Sequence, residues 1–352
     1  MWGIRQRFPA IPPKSHEDYY KSVVLETNPW LEPWQRWDTP HYQAIAERGY
    51  LAFDTALFTP PLYPMLMRLV SPLFDGDTLA SGLFVSSMAF LGCLITFYLL
   101  ARLEFPEEKD ALRTVIYLAS FPTAFFFVAA YSESVFLLMA LLSFYFARKK
   151  NWIQAGIFGG LAALTRTPGL LMFLPLAWEA WEAWKTGDPR GWLAPILAGL
   201  GATVYPLYVW IGLRLPPTSI LDALNQRGGH TSIPGWNLIE ALNRGLHGQL
   251  AGENLIELGF SLFFIALTLF VWKNLPRVYG VYSMALMIFF LARFGAPQPL
   301  SGMARYVLDI FPAFLVLAVW GSKTWVNRII LYLSWSGLLF FSGQFAIWGW
   351  VG

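Results

Sequence analysis

Ten apolar stretches follow one another along this chain, separated by short polar loops, and they confine it to one solvent class. They run over Leu79–Ala101, Leu112–Ala130, Ser132–Ala147, Trp152–Thr165, Pro168–Trp184, Trp192–Leu213, Leu255–Trp272, Val278–Ala292, Tyr306–Trp320 and Val326–Trp348. Runs of this kind bury their own backbone hydrogen bonds only as helices in a bilayer, where about 20 apolar residues make one crossing. Only 13% of the 352 residues are charged, against about 25% in soluble domains. Seventeen tryptophans suit the two membrane interfaces. The expectation is an all-α polytopic membrane protein of about ten transmembrane helices. The stretch Trp152–Trp184 is the most irregular; it reads as two half-helices broken at Thr165-Arg166-Thr167-Pro168-Gly169.

Loop charge gives the sidedness. With Met1–Leu79 placed outside, the inner loops carry Arg102, Lys109 and Arg113, then Arg148, Lys149 and Lys150, then Lys185 and Arg190, then Lys273 and Arg277, then Lys323 and Arg328. Every one of these short loops is basic, as the positive-inside rule requires. The same assignment gathers Asp38, Tyr131-Ser132-Glu133-Ser134, Arg166, the long loop at 214–254 and Arg293 to Arg305 on the outer face. Two parts follow: a first outer loop at 1–79, and a transmembrane helical part at 80–352 with its long outer loop at 214–254.

Several function classes drop out. A net charge of +3 is too small to indicate nucleic acid. A single cysteine, Cys93, excludes an intrachain disulfide or a cysteine metal cluster. His16, His41, His230 and His247 lack metal-ligand spacing. No phosphate-binding glycine loop, dinucleotide fingerprint or G-x-S-x-G element is present. Asp75-Gly76-Asp77 has the form of an acid-x-acid metal clamp, but it stands without a nucleotide-binding domain. Asp77 or Thr78 capping the first span is the simpler reading.

The outer loop concentrates its polar residues in Arg36-Trp37-Asp38-Thr39-Pro40-His41-Tyr42. Thr39 and Pro40 read as an N-cap and first helical residue, Arg48 as the last turn and Gly49 as the stop. Asp38 is then either an alternative cap or a carboxylate left free just outside a helix N-terminus. Trp30, Trp34 and Trp37 fall at i, i+4 and i+7, a spacing that would line one side of an interfacial helix, although Pro29 and Pro33 oppose it. Phe58–Pro64 should be extended or turning. Glu133 is either a cap in a tight outer turn or part of a site. Arg166 and Arg305 stand at helix edges, where a cation either snorkels to the interface or pairs. Gly302-Met303-Ala304-Arg305-Tyr306 opens a span, and an Arg beside free amides there would seat a phosphate. A lipid-linked phosphoryl substrate would fit such a face: its tail between helices, its phosphate on an arginine and its sugar against a carboxylate.

These residues resemble a known family. Arg36-Trp37-Asp38-Thr39-Pro40-His41-Tyr42 with Ile45-Ala46 and Gly49-Tyr50 is similar to the first-loop motif of the GPI mannosyltransferase 2 (PIG-V-like) family. Tyr131-Ser132-Glu133-Ser134 resembles its second motif. Ala155-Gly156, Gly159-Gly160-Leu161-Ala162, Leu164-Thr165-Arg166-Thr167 and Gly169-Leu170-Leu171 resemble the third, and Arg305-Tyr306 with Phe311-Pro312 the late one. The resemblance implies a GT-C fold and an inverting transfer of mannose from a polyprenyl (dolichyl-type) phosphate to an acceptor hydroxyl outside the cytoplasm, without metal or other cofactor. It makes Asp38 the candidate general base. It makes Arg36, Trp37, His41, Tyr42, Tyr131, Glu133, Arg166, Arg305 and Tyr306 the candidate substrate-binding set, with Arg166 and Arg305 as candidate phosphate ligands. The implied partners are the polyprenyl-phosphate-linked sugar, a glycan, glycolipid or protein acceptor, and the bilayer. The compact chain with short inner loops favours a prokaryotic plasma membrane over an endoplasmic reticulum membrane.

The rival reading is a polytopic transporter or lipid flippase, in which buried Arg and Glu line a path. The sequence shows no repeated halves and collects its polar groups on one side. A separate expectation concerns the start of the chain. No run before Gln35 is long enough to cross a membrane, so an upstream helix ahead of Met1 is expected, which would make eleven spans.

Overall fold

The computed structural model describes residues 20–226, 229–249, 252–295, 298–349 and 351. His16 and the proposed upstream start therefore lie outside the described residues. Helix α1 (Thr39–Arg48) ends at Gly49 with φ 82°, as its local signals predict. Its N-cap position is Asp38 rather than Thr39, and no side chain caps it. Thr39 Oγ1 instead donates to the Trp34 carbonyl. The expected interfacial tryptophan helix does not form. Glu32–Trp34 is a single 3₁₀ turn, because Pro29 and Pro33 remove the amides that a longer helix would need. The Phe58–Pro64 stretch is extended at Thr59, then enters α2 (Leu62–Val70) with Pro64 in its first turn.

Helix α3 (Thr78–Glu104) is capped by Asp77, whose carboxylate accepts from the Leu79 and Ala80 amides. The following helices are α4 (Glu108–Ser120), α5 (Glu133–Arg148), α6 (Trp152–Ala163), α7 (Phe173–Lys185) and α8 (Leu193–Leu207). The 214–254 segment holds α9 (Ser219–Gln226), the short strand β1 (Gly229–Thr231) and α10 (Trp236–Leu246). Then come α11 (Gly252–Asn274), α12 (Arg277–Ala292), strand β2 (Arg293–Gly295), α13 (Met303–Tyr306), α14 (Pro312–Trp320) and α15 (Thr324–Ala346). The β1–β2 pair is antiparallel and is a small departure from an all-helical chain. Together with Asn237, whose side-chain amide donates to the Phe290 and Arg293 carbonyls, it ties the long loop onto the end of α12.

Helix occurs in every one of the ten apolar stretches, but several are interrupted. Among the described residues four helices are long and apolar enough to cross a membrane, Thr78–Glu104, Pro189–Gly212, Asn254–Asn274 and Thr324–Ala346. A fifth crossing results if Met303–Asp309 and Pro312–Trp320, bent by 88° at Phe311, count as one span. Proline explains the interruptions. Pro122 forces Phe121 out of the helix and stops α4, and Pro312 restarts the chain after the bend. Pro168 sits in the 3₁₀ turn Thr167–Met172 between α6 and α7, the break expected there.

Close backbone approach holds α6 to α8. A Cβ at Gly201 would meet the Gly160 backbone, and one at Gly156 the Ala194 carbonyl; small residues are what let two membrane helices pack so tightly. Aromatic rings fill the centre. Phe311, at the bend, lies 5.6 Å from Phe97, 5.0 Å from Phe144 and 5.1 Å from Tyr282. At the end of the helices away from Asp38, Arg148 reaches Glu104 at 2.8 Å and Glu179 at 3.3 Å, and Tyr279 donates to Glu104. Those residues border the loops assigned to the inner side.

Gly169 gives a stability prediction. A Cβ there would run into the Ala162 carbonyl, and backbone cannot step aside as a side-chain tip can. Gly169→Ala should cost about 1–3 kcal/mol, the usual range for overpacking, and so lower the thermal midpoint in detergent. An unchanged midpoint would show that the α6–α7 break is looser than described.

Candidate active site

Five charged side chains from four separate parts of the chain meet in a line of alternating sign. Asp38 Oδ2 lies 2.8 Å from Arg305 Nη1. Arg305 Nε lies 3.4 Å from Glu133 Oε1, and the same oxygen is 3.0 Å from Arg166 Nη1. Arg166 in turn is 3.3 Å from Asp309 Oδ2. Three carboxylates face two guanidinium groups, so the line carries one formal negative charge in excess. Asp38 is its accessible end, with 20% of its side chain exposed, while the side chains of Arg305, Glu133 and Asp309 are 9%, 2% and 0% exposed.

Local sequence explains how each member is delivered. Trp37 has φ 53°, a left-handed conformation that costs a non-glycine residue about 1–3 kcal/mol. The Trp37 ring lies edge-on to Trp348 at 5.7 Å, which helps to hold the turn. That turn leaves the Asp38 amide donating to the Tyr131 hydroxyl at 3.0 Å, while Tyr131 donates to the Arg36 carbonyl at 3.2 Å. The Asp38 carboxylate makes no capping bond and reaches Arg305 instead. Glu133 opens α5. Arg166 is extended, at φ −151° and ψ 149°, where α6 breaks before the Thr167–Met172 turn. Arg305 belongs to the four-residue α13, and Asp309 ends the 3₁₀ turn after it.

The other candidates form a second ring of contacts. The Tyr42 hydroxyl pairs with Ser132 Oγ at 2.9 Å. Burial, and then the charges of Glu133 and Asp38, hold the Tyr42 phenol above its ordinary pKa, so it stays neutral. Tyr306 accepts from Arg305 Nη2 at 3.4 Å, and Arg293 stands 4.6 Å over its ring. His41 lies edge-on to Phe53 at 5.3 Å. Arg36 points elsewhere: it pairs with Glu32 at 2.6 Å, donates to the Ala346 carbonyl and covers the Trp348 ring at 4.6 Å. Its place is as a strap between the first loop and the end of α15.

Three residues escaped the sequence reading. Asp309 partners Arg166, and Arg293 covers Tyr306. Glu257, in α11, accepts from the Gly302 amide at 3.3 Å and the Ala304 amide at 2.6 Å. This last contact corrects an expectation, because the amides beside Arg305 that were to seat a phosphate are already occupied by a carboxylate. An acid inside an apolar helix is the signal that marks Glu257 in the sequence.

Comparison with known proteins now bears on this arrangement. Residues 59–210 match the family model of dolichyl-phosphate-mannose-protein mannosyltransferases, a range that includes Glu133 and Arg166 but neither Asp38 nor Arg305. The GPI mannosyltransferase pigv-1 of Caenorhabditis elegans is 31% identical over 170 residues, covering 41% of this chain and 25% of that protein. GPI mannosyltransferase 2 of Yarrowia lipolytica is 24% identical over 183 residues, covering 52% of this chain and 50% of that protein. The matches thus span a quarter to a half of these relatives' length. The solved structure of ArnT from Cupriavidus metallidurans, bound to undecaprenyl phosphate, superposes on 80% of this chain and 54% of its own, with a TM-score of 0.54 at 15% identity. Sequence motifs and relatives point the same way: the chain is similar to the PIG-V-like mannosyltransferases over part of its length, and it shares the fold of ArnT.

Proposed function

We propose that this protein is an integral membrane glycosyltransferase that moves mannose, with inversion, from a polyprenyl or dolichyl phosphate to an acceptor hydroxyl on the extracytoplasmic side. The observation that carries this reading is the Asp38–Arg305 pair at the accessible end of the buried charge line. With one carboxylate in excess, the line has no spare cation for an arriving phosphate. The phosphate must displace Asp38 from Arg305, and this exchange leaves Asp38 free to act as a base just where the sugar lies.

The step then balances simply. The acceptor hydroxyl gives its proton to Asp38, its oxygen forms the new bond to the sugar's anomeric carbon, and the bond from that carbon to the phosphate oxygen breaks. Arg305 takes up the charge growing on the leaving polyprenyl phosphate, with Arg166 next in line. Glu133 Oε1 holds Arg305 and Arg166 side by side, at 3.4 and 3.0 Å, behind the position of the phosphate. The acceptor is a glycan, glycolipid or protein, held by the first loop at 1–79 against the helical part with its ten passes. The compact loops keep a prokaryotic plasma membrane as the favoured setting.

A second reading has one observation in its favour. Arg166 and Arg305 both sit at breaks in helices, the places where transporters and flippases bind substrate. Purified protein in proteoliposomes, given radiolabelled polyprenyl phosphate mannose and a panel of hydroxyl acceptors, separates the two. Time-dependent transfer of label to acceptor is expected. Movement of the intact lipid across the bilayer, with no transfer to any acceptor, would replace the enzyme reading by the flippase one.

A further inference from the structure

Glu257 is 3% exposed inside the apolar helix α11. A carboxylate there is costly and is kept only with partners and a use. Its two oxygens accept from the Gly302 and Ala304 amides, at 3.3 and 2.6 Å. On the other side Thr123, fully buried, donates through Oγ1 to the Ala304 carbonyl at 2.7 Å. The peptide groups on either side of Ala304, the residue immediately before Arg305, are thus gripped by side chains from two other elements. The grip matters because α13 has only four residues, too few to hold a helix by itself, and the chain bends by 88° soon after.

We infer that Glu257 and Thr123 are positioning residues that aim the Arg305 guanidinium at the departing lipid phosphate. The inference rests on the reading of Arg305 given above. A cavity of about 290 Å³ borders Glu257, Ala304, Phe340 and Gln344, so a glutamine at 257 has room and changes the hydrogen bonding without overpacking. Glutamine keeps one acceptor oxygen but turns an NH₂ group toward the second amide.

The test is a double-mutant cycle on the purified protein with radiolabelled polyprenyl phosphate mannose. Glu257→Gln should lower kcat/KM for the donor about tenfold, in line with the cost of misplacing a group that acts on the reacting atoms. In an Arg305→Ala background the same change should cost less than about twofold, because its effect has nothing left to act through. Equal losses in both backgrounds would overturn the inference and leave the role of Arg305 standing. Normal donor kinetics in Arg305→Ala alone would remove the phosphate reading, and the inference with it. Should Glu257→Gln fail to fold, Thr123 decides: Thr123→Val must reproduce the donor defect and Thr123→Ser must restore it, and a Val variant with normal kinetics would refute the grip.

Discussion

Asp38→Asn protein is expected to fold, insert and bind the lipid donor while losing roughly 10²–10⁴ of its transfer rate, the usual worth of a general base. The amide has the shape of the carboxylate and almost none of its basicity. Its stability cost should be moderate, since the amide oxygen can still accept from Arg305 Nη1 and Glu133 still faces the guanidinium at 3.4 Å, so the buried cation keeps a partner. The Asp38 carboxylate makes no capping bond in α1, so no cap is lost either. The check is single-turnover transfer with donor bound in excess, alongside the thermal midpoint. Retention of more than about a tenth of the rate would be too much for a variant without its base and would remove Asp38 from that role.

Arg305 should be the next most sensitive position. Its guanidinium reaches Asp38 and Glu133 through separate nitrogens, a fork that a lysine ammonium lacks. Arg305→Lys should therefore retain binding but transfer clearly more slowly. Arg305→Ala should lose about 10²–10³-fold in kcat/KM, as when one donor to a developing charge is removed. It also leaves Asp38 and Glu133 without their shared cation, and removing one partner of a buried pair commonly costs about 3–5 kcal/mol. Kinetics measured on the folded fraction separate the two effects. Normal turnover in a merely less abundant protein would make Arg305 a structural residue and shift attention to Arg166.

What could be read from the sequence was what short-range chemistry dictates. Thr39-Pro40 and Gly49 bound α1 to within a residue, and Asp77 caps α3, because caps and stops are decided by neighbours. The break at Thr165 to Gly169 was visible in its proline and glycine. The motif residues Asp38, Glu133, Arg166 and Arg305 stood out as polar groups at the edges of apolar stretches, yet nothing local said that they join in one line. Arg166 and Asp309 are 143 positions apart, and Asp309 in the sequence is one acid near a helix break. Arg36 shows the converse: it lies within the motif, but its partners are Glu32 and the end of α15, a choice made by how the first loop folds back. The tryptophan spacing suggested a helix that Pro29 and Pro33 prevent, so periodicity yielded to a covalent constraint.

The central claim is that a lipid phosphate takes Arg305 from Asp38. A structure of the protein determined with polyprenyl phosphate bound tests it most directly. The account predicts the phosphate on the Arg305 guanidinium, with Asp38 released from its 2.8 Å contact and open toward the position of the sugar. A bound lipid whose phosphate lies elsewhere, with the Asp38–Arg305 pair intact, would contradict it.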